Sequence, residues 1–125
     1  MTTQYREDPE HNLVEIIIDG KVTKAEYDEI MPRFEAFIKA HGPVKILEDI
    51  RHYDGFDASL WWEGAKFDFK HMKDYSHCAV VSDLGWLGPF ARFFGAILPC
   101  EVRTFKRDEL DAARQWLKSV ETVAS

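Results

Sequence analysis

A chain of 125 residues, 46% hydrophobic and 14% aromatic, is long enough for one domain around one core and too rich in bulky apolar side chains to stay disordered. A net charge of −6, a pI near 5.3 and the lack of a basic cluster argue against nucleic-acid binding. No run of about 18 apolar residues suggests a membrane span. The opening MTTQYREDPEHN is too polar and acidic for a signal peptide, so the cytoplasm is the expected location.

In chain order, a polar edge strand is expected around Gln4–Glu7. Leu13 to Ile18 is β-branched and mostly apolar, the pattern of a strand covered on both faces. Asp19-Gly20 signals a turn, and Thr23 with Glu26 reads as the capping box of a helix. On that helix Tyr27, Ile30, Met31, Phe34, Phe37 and Ile38 share an arc of about 120°, a core-facing stripe. Pro32 is expected to kink it and His41-Gly42-Pro43 to end it. Val44 to Ile50 reads as the next strand and Arg51 to Asp57 as a loop. Asp57 or Ser59 then caps a second helix running to about Lys73. Trp61, Trp62, Ala65, Phe69 and Met72 give that helix a stripe for the sheet, whereas Leu60 and Phe67 fall on its other side, with no need to face the sheet.

His77 to Ser82 is a further strand, and Glu101 to Phe105 alternates like a half-exposed edge strand. Asp108 is the expected cap of a last helix whose buried side is Leu110, Ala113, Trp116, Leu117 and Val120. The alternation predicts a single α/β domain over residues 1–125. Its sheet is mainly parallel, of about five strands with about four helices, and the first strand is open to an antiparallel placement.

Between the last two strands lies Leu84 to Leu98, LGWLGPFARFFGAIL, whose single charge is Arg92. As a helix hinged near Gly88-Pro89 it carries apolar side chains over an arc of roughly 160°, where sheet packing needs about 100°. Its four large aromatics each bury about 150–250 Å². This surplus predicts a cover beyond the sheet, left open between a ligand, a lipid surface, another subunit and a neighbouring helix. Charge is also uneven: −7 over residues 1–65, +3 over 66–107 and −2 over 108–125. The mildly basic part coincides with the apolar stretch, a combination that suits anionic headgroups and also arises by chance.

Asp54-Gly55-Phe56, Leu60-Trp61, Cys78-Ala-Val-Val81, Trp86, Val102-Arg-Thr-Phe105 and Ala113-Arg-Gln-Trp-Leu117 together resemble the SpoIIAA-like family of small bacterial proteins, related to STAS and CRAL-TRIO domains. The resemblance spans nearly the whole chain and rests on short aromatic motifs, which mark fold better than activity. It implies a STAS-like domain, related on one side to anti-sigma-factor antagonists and on the other to lipid-carrying domains. The antagonists carry a phosphorylatable serine in an Asp-Ser-Ser/Thr-Gly setting. Here Ser59 lies between Ala58 and Leu60, the motif is absent, and no phosphoserine switch is expected.

The candidate apolar site comprises Phe56, Leu60, Phe67, Trp86, Leu87, Phe90, Phe93 and Phe94, set near the carboxyl ends of the strands where ligands of such sheets gather. Arg92, Arg103, Lys106 and Arg107 are the candidates for contact with anionic headgroups. No cofactor or metal is expected, because none of the five histidines has ligand spacing and no glycine motif fits a phosphate loop. Cys78 and Cys100 read as reduced, buried thiols. His52 with Asp49, Asp54 and Asp57 offers an acid–base pair that turn and cap roles explain as well. The leading expectation is a non-enzymatic module for an apolar small molecule or lipid, with peripheral contact to the inner face of the membrane. The alternative is a STAS-like regulatory interaction module, homo-oligomeric through the same helix. An enzyme ranks third.

Overall fold

The computed structural model describes residues 3–56, 66–67, 70–83 and 100–120. Within them β1 (Thr3–Asp8), β2 (Leu13–Val22), β3 (Val44–Phe56), β4 (Tyr75–Val81) and β5 (Glu101–Phe105) form one sheet in that order. β1 is antiparallel to β2, and the three pairings that follow are parallel, so the sheet is mixed. Of the about four helices expected, two α-helices are given among the described residues: α1 (Lys24–His41) and α2 (Leu110–Ser119). Lys66, Phe67, Lys70 and His71 are also helical, and a 3-10 turn at Met72–Asp74 follows them directly. The stretch 84–98 lies outside the described residues, as does most of the expected helix between Asp57 and Lys73.

Two boundaries differ from the sequence reading for one reason. Asp19-Gly20 is not a turn, and Arg51 to Phe56 is not a loop; β2 and β3 continue past both and pair with each other. The register shifts between Ile18 and Asp19 and again between Gly20 and Val22. Gly20 takes φ 125°, a conformation that costs glycine little and other residues much. Pairing between two long strands thus outweighs a local turn signal. The start of α1 is as expected: the Glu26 amide donates to Thr23 Oγ1 at 3.2 Å, while the Thr23 hydroxyl donates to Glu26 Oε1. Pro32 lies inside α1, and the Gly42 amide closes the helix on the Ile38 carbonyl at 3.0 Å. The last helix is not capped by Asp108. A 3-10 turn, Arg107–Glu109, leads into it, and Glu109 Oε1 accepts from the Lys106 amide at 2.9 Å.

Alternation along the strands sorts side chains onto two covered faces. On one, α1 lays Ile30, Phe34, Phe37 and Ile38 against Tyr5, Val14, Val44 and Ile46. Phe34 is its hub: its ring lies 6.3 Å from Tyr5, 5.6 Å from Phe67 and 6.0 Å from Tyr75. On the other, α2 packs Ala113 and Leu117 on Leu13, Leu47, Ala79 and Val81.

The α2 face also buries charge. Lys45 is 3% exposed and Asp49 fully buried. Lys45 Nζ donates to the carbonyls of Leu117, at 2.5 Å, and Val120, at 3.0 Å, and so satisfies the last turn of α2. Asp49 pairs with Arg107, and more loosely with Arg51 Nε at 3.4 Å. Arg114, midway along α2, reaches Glu15 of β2 at 3.0 Å. β3 therefore holds the C-terminal segment at both ends. The spans agree: four strand residues advance about 13 Å, and the ten residues of α2 rise about 15 Å. Removing one partner of a buried pair strands the other, which costs about 3–5 kcal/mol. Arg107→Met should lower unfolding free energy in urea by about that much. Lys45→Met should cost about 1–3 kcal/mol, and the exposed Arg103→Met about 1 kcal/mol or less. Equal losses for Arg107→Met and Arg103→Met would contradict the clamp.

His77 is buried on the same face, 5.6 Å from the Trp116 ring and edge-on to it, with Nδ1 3.0 Å from Ser76 Oγ. Burial holds its imidazole below the usual histidine range, against the opposing pull of Glu101. The unfolded chain therefore takes up the proton first, and stability falls as pH drops through about 6.5. His77→Gln lacks this loss. The stability advantage of wild type over His77→Gln should be smaller at pH 5.5 than at pH 7.5 by urea unfolding; an advantage constant across that range would refute the assignment.

Candidate functional site

An open groove of about 610 Å³ runs between α1 and the helical residues near 66–70. Its formation follows from α1 having more apolar surface than its buried stripe uses. Met31, half-buried, and the exposed Pro32 and Ala36 lie beside that stripe and form one wall. Phe67 forms the facing wall, anchored because its ring stacks on Phe34 and touches His71 at 4.6 Å. Phe67, which sequence placed on the side of its helix with no need to face the sheet, packs against the α1 core cluster and lines the groove with its remaining surface.

The rim is charged. Lys39, Lys66 and Lys70 stand on it with Asp28 and Glu35. Both Lys39 and Lys70 approach Glu35 Oε1 at 3.3 Å, and their hydrogen bonds, Lys70's first, hold the Glu35 carboxyl below the usual range. Asp28 pairs with Lys24 at 3.3 Å. Behind Phe67, His71 is 4% exposed and its Nδ1 lies 2.9 Å from Asp74 Oδ2. A carboxylate only accepts, so Nδ1 donates this bond, and Nε2 lies 4.0 Å from Glu35 Oε2 without a hydrogen-bond partner among the described residues. An apolar trough edged by ammonium groups can hold a hydrocarbon chain and keep an anionic head at the water boundary.

Of the apolar sequence candidates, Phe67 alone is described as a side chain. Phe56 is described only as the last main-chain position of β3. Leu60, Trp86, Leu87, Phe90, Arg92, Phe93 and Phe94 lie outside the described residues. The basic candidates are not gathered at this groove. Arg107 is committed to Asp49 and its amide donates to Asp83 Oδ1 at 3.0 Å. Arg103 lies 4.6 Å over the Trp116 ring on the α2 face, and Lys106 is exposed beyond β5. Sequence reasoning missed Met31, Pro32 and the lysines, because α1 was read only for its buried stripe.

Of the residues weighed for acid–base chemistry, Asp49 and His52 have different partners, Asp54 is described only as a main-chain position of β3, and Asp57 lies outside the described residues. Asp49 is buried against Arg107, whereas His52 is exposed and its Nδ1 meets Asp19 at 2.7 Å across the β2–β3 pairing. His11 does have carboxylate company, which the sequence spacing hid. The 3-10 turn at Pro9–His11 brings donor atoms of Asp8, Glu10 and His11 within 4.8 Å of one another, with His11 Nδ1 2.9 Å from Asp8. Cys78 and Cys100 are thiols, half-buried and buried respectively. Among the described residues no helix is long and apolar enough to cross a membrane.

Comparison with known proteins agrees with this architecture. No curated protein matches the chain significantly. A crystal structure of an uncharacterised protein from Shewanella loihica with a SpoIIAA-like fold is similar, with a TM-score of 0.77 over 92% of this chain and 91% of that one. At 21% identity this likeness speaks for the fold alone. The SpoIIAA-like family model matches residues 13–118, from the first residue of β2 to the penultimate residue of α2, and the chain belongs to the SpoIIAA-like family.

Proposed function

We propose that this protein is a non-enzymatic binding module for an apolar or lipid-like ligand with an anionic head. The groove beside α1 carries the reading: Met31, Pro32 and Phe67 supply an apolar bed, and Lys39, Lys66 and Lys70 supply the cationic rim. Stretch 84–98 supports it from the sequence, since it holds more aromatic area than packing on one sheet consumes. In this reading Phe90 and Phe94 add hydrocarbon contact and Arg92 stays at the polar boundary. Peripheral contact with an anionic membrane is the natural source of such a ligand.

Sodium oleate binding followed by tryptophan fluorescence tests it, with sedimentation on vesicles of phosphatidylglycerol and phosphatidylcholine. A buried phenylalanine contributes about 1.5–3 kcal/mol, so Phe90→Ser with Phe94→Ser should weaken oleate binding roughly tenfold or more. Lys66→Glu with Lys70→Glu, which leaves the core intact, should weaken oleate while sparing an uncharged alkanol of equal length. No oleate binding and no vesicle association by wild type would end the proposal. So would concentration-dependent self-association that Phe90→Glu abolishes and oleate does not disturb, because 84–98 would then be a subunit contact.

A further inference from the structure

A second, smaller pocket of about 280 Å³ lies on the other flank of α1, against β1. β1 is a terminal strand of the sheet, so half of its main-chain N–H and C=O groups point away from β2, and among the described residues no strand pairs with that edge. α1 covers the strands from β1 to β3 and is centred above β2, with its core residues against Tyr5, Val14, Val44 and Ile46. Its flank above β1 presents Glu29 and Arg33, one turn apart and both exposed. They are not paired with each other. Arg33 holds its guanidinium 4.8 Å over the Tyr5 ring, and neither has an ion-pair partner among the described residues.

The edge itself is self-complementary in one register. Alternation puts Thr3, Tyr5 and Glu7 on the face covered by α1, and Gln4 and Arg6 on the other. Outward main-chain groups sit on every second residue, so two copies of β1 that pair antiparallel about a two-fold axis must place a residue on that axis. With Arg6 there, two guanidinium side chains lie opposite each other; with Glu7 there, two carboxylates do, and like charges so placed are destabilising. With Gln4 there, only Thr3 to Tyr5 of the described strand stay paired. With Tyr5 there, Thr3 lies opposite the partner's Glu7 and Gln4 opposite the partner's Arg6, and no like charges meet. Thr3 is 4% exposed and its hydroxyl has no hydrogen-bond partner, whereas Glu7 accepts from the Tyr5 hydroxyl through Oε2 and has its other oxygen for a second donor.

We infer that the β1 edge and the adjoining flank of α1 are the contact surface for a second copy of this chain, joined antiparallel about Tyr5 into one continuous sheet. The helix supports the register that the strand selects. The two copies of α1 lie on one side of that sheet, antiparallel and three strand spacings, or roughly 14 Å, apart. Reversal of direction turns Glu29 of each helix toward the partner's Arg33, across a gap that the two side chains span together. Arg33 already lies over Tyr5, the residue on the axis, so helix and strand agree on where the axis passes. A guanidinium held flat on a ring still offers its edge N–H groups to that carboxylate. Within the paired residues each copy brings Arg6 and Arg33 against Glu7 and Glu29, so the contact carries no net charge. The smaller pocket is then the space left between the two helices and the joined edges.

Sedimentation equilibrium of the full chain tests this. Wild type should be dimeric at about millimolar concentration and dissociate on dilution. Arg33→Glu and Glu29→Arg, both at exposed positions, should each weaken self-association roughly tenfold or more, because two opposite-charge contacts become like-charge ones. Mixed in equal amounts, the two variants should associate with each other about as tightly as wild type does with itself, which a chain that had merely lost its fold does not do. In a mixture of carbon-13-labelled and unlabelled wild type, NOEs between copies should connect Thr3 with Glu7. A monomer at millimolar concentration, self-association that neither reversal weakens, variants that do not associate when mixed, or NOEs between copies that join other surfaces instead would each overturn the assignment.

Discussion

The fold depends on two charges placed where a strand is covered on both sides. Lys45 and Asp49 point to the same face of β3, and each is buried. Neither is tolerable there unpaired, since an isolated buried ion costs several kcal/mol. Both are answered from residues 107–120, Asp49 by Arg107 before α2 and Lys45 by carbonyls at its end. Hydrophobic contact alone lets a ten-residue helix slide; two polar fixings at the spacing of its length do not. The polarity of the pairs also sets direction. A cation at the end of α2 and an anion before its start both suit the helix dipole, so α2 runs antiparallel to β3.

That commitment divides the labour of the sheet's faces. The α2 face is closed by ion pairs, a helix cap and His77 under Trp116. The α1 face is organised instead by rings around Phe34, which tolerate partial exposure at their margins. Ring stacking is short in range and leaves gaps beside a cylinder, whereas directional polar pairs fill their surroundings with chain. The groove and the smaller pocket consequently both flank α1.

What was legible in the sequence follows from the range of the forces involved. Period-two and 3.6-residue patterns report burial, and they marked the five strands, the stripe of α1 and the buried side of α2. Thr23 and Gly42, acting over three or four residues, were equally visible. Asp19-Gly20 misled because its extended conformation is imposed by β3, some thirty residues away. Lys45 and Asp49 were signals left unused: charges two positions either side of Leu47, in a strand with no exposed face, require buried partners. Their partners lie 58 and 72 residues on, beyond any local pattern. The groove was half legible. Phe67 stood out as apolar surplus, but nothing in the sequence says which face of α1 it meets.

The distribution of charge explains how a chain of net charge −6 carries a lysine-rich rim at all. At physiological ionic strength charges more than about 8 Å apart are largely screened, so a ligand reads the few side chains it touches and not the sum over the molecule. Around the larger groove, Lys39 and Lys70 share the single carboxylate of Glu35, and Asp28 is occupied by Lys24. Among the described residues two ammonium groups thus face one carboxylate at this edge, although the first 65 residues as a whole are acidic. Those ammonium groups stand beside Met31 and Phe67, so the groove grades from an apolar bed to a charged edge.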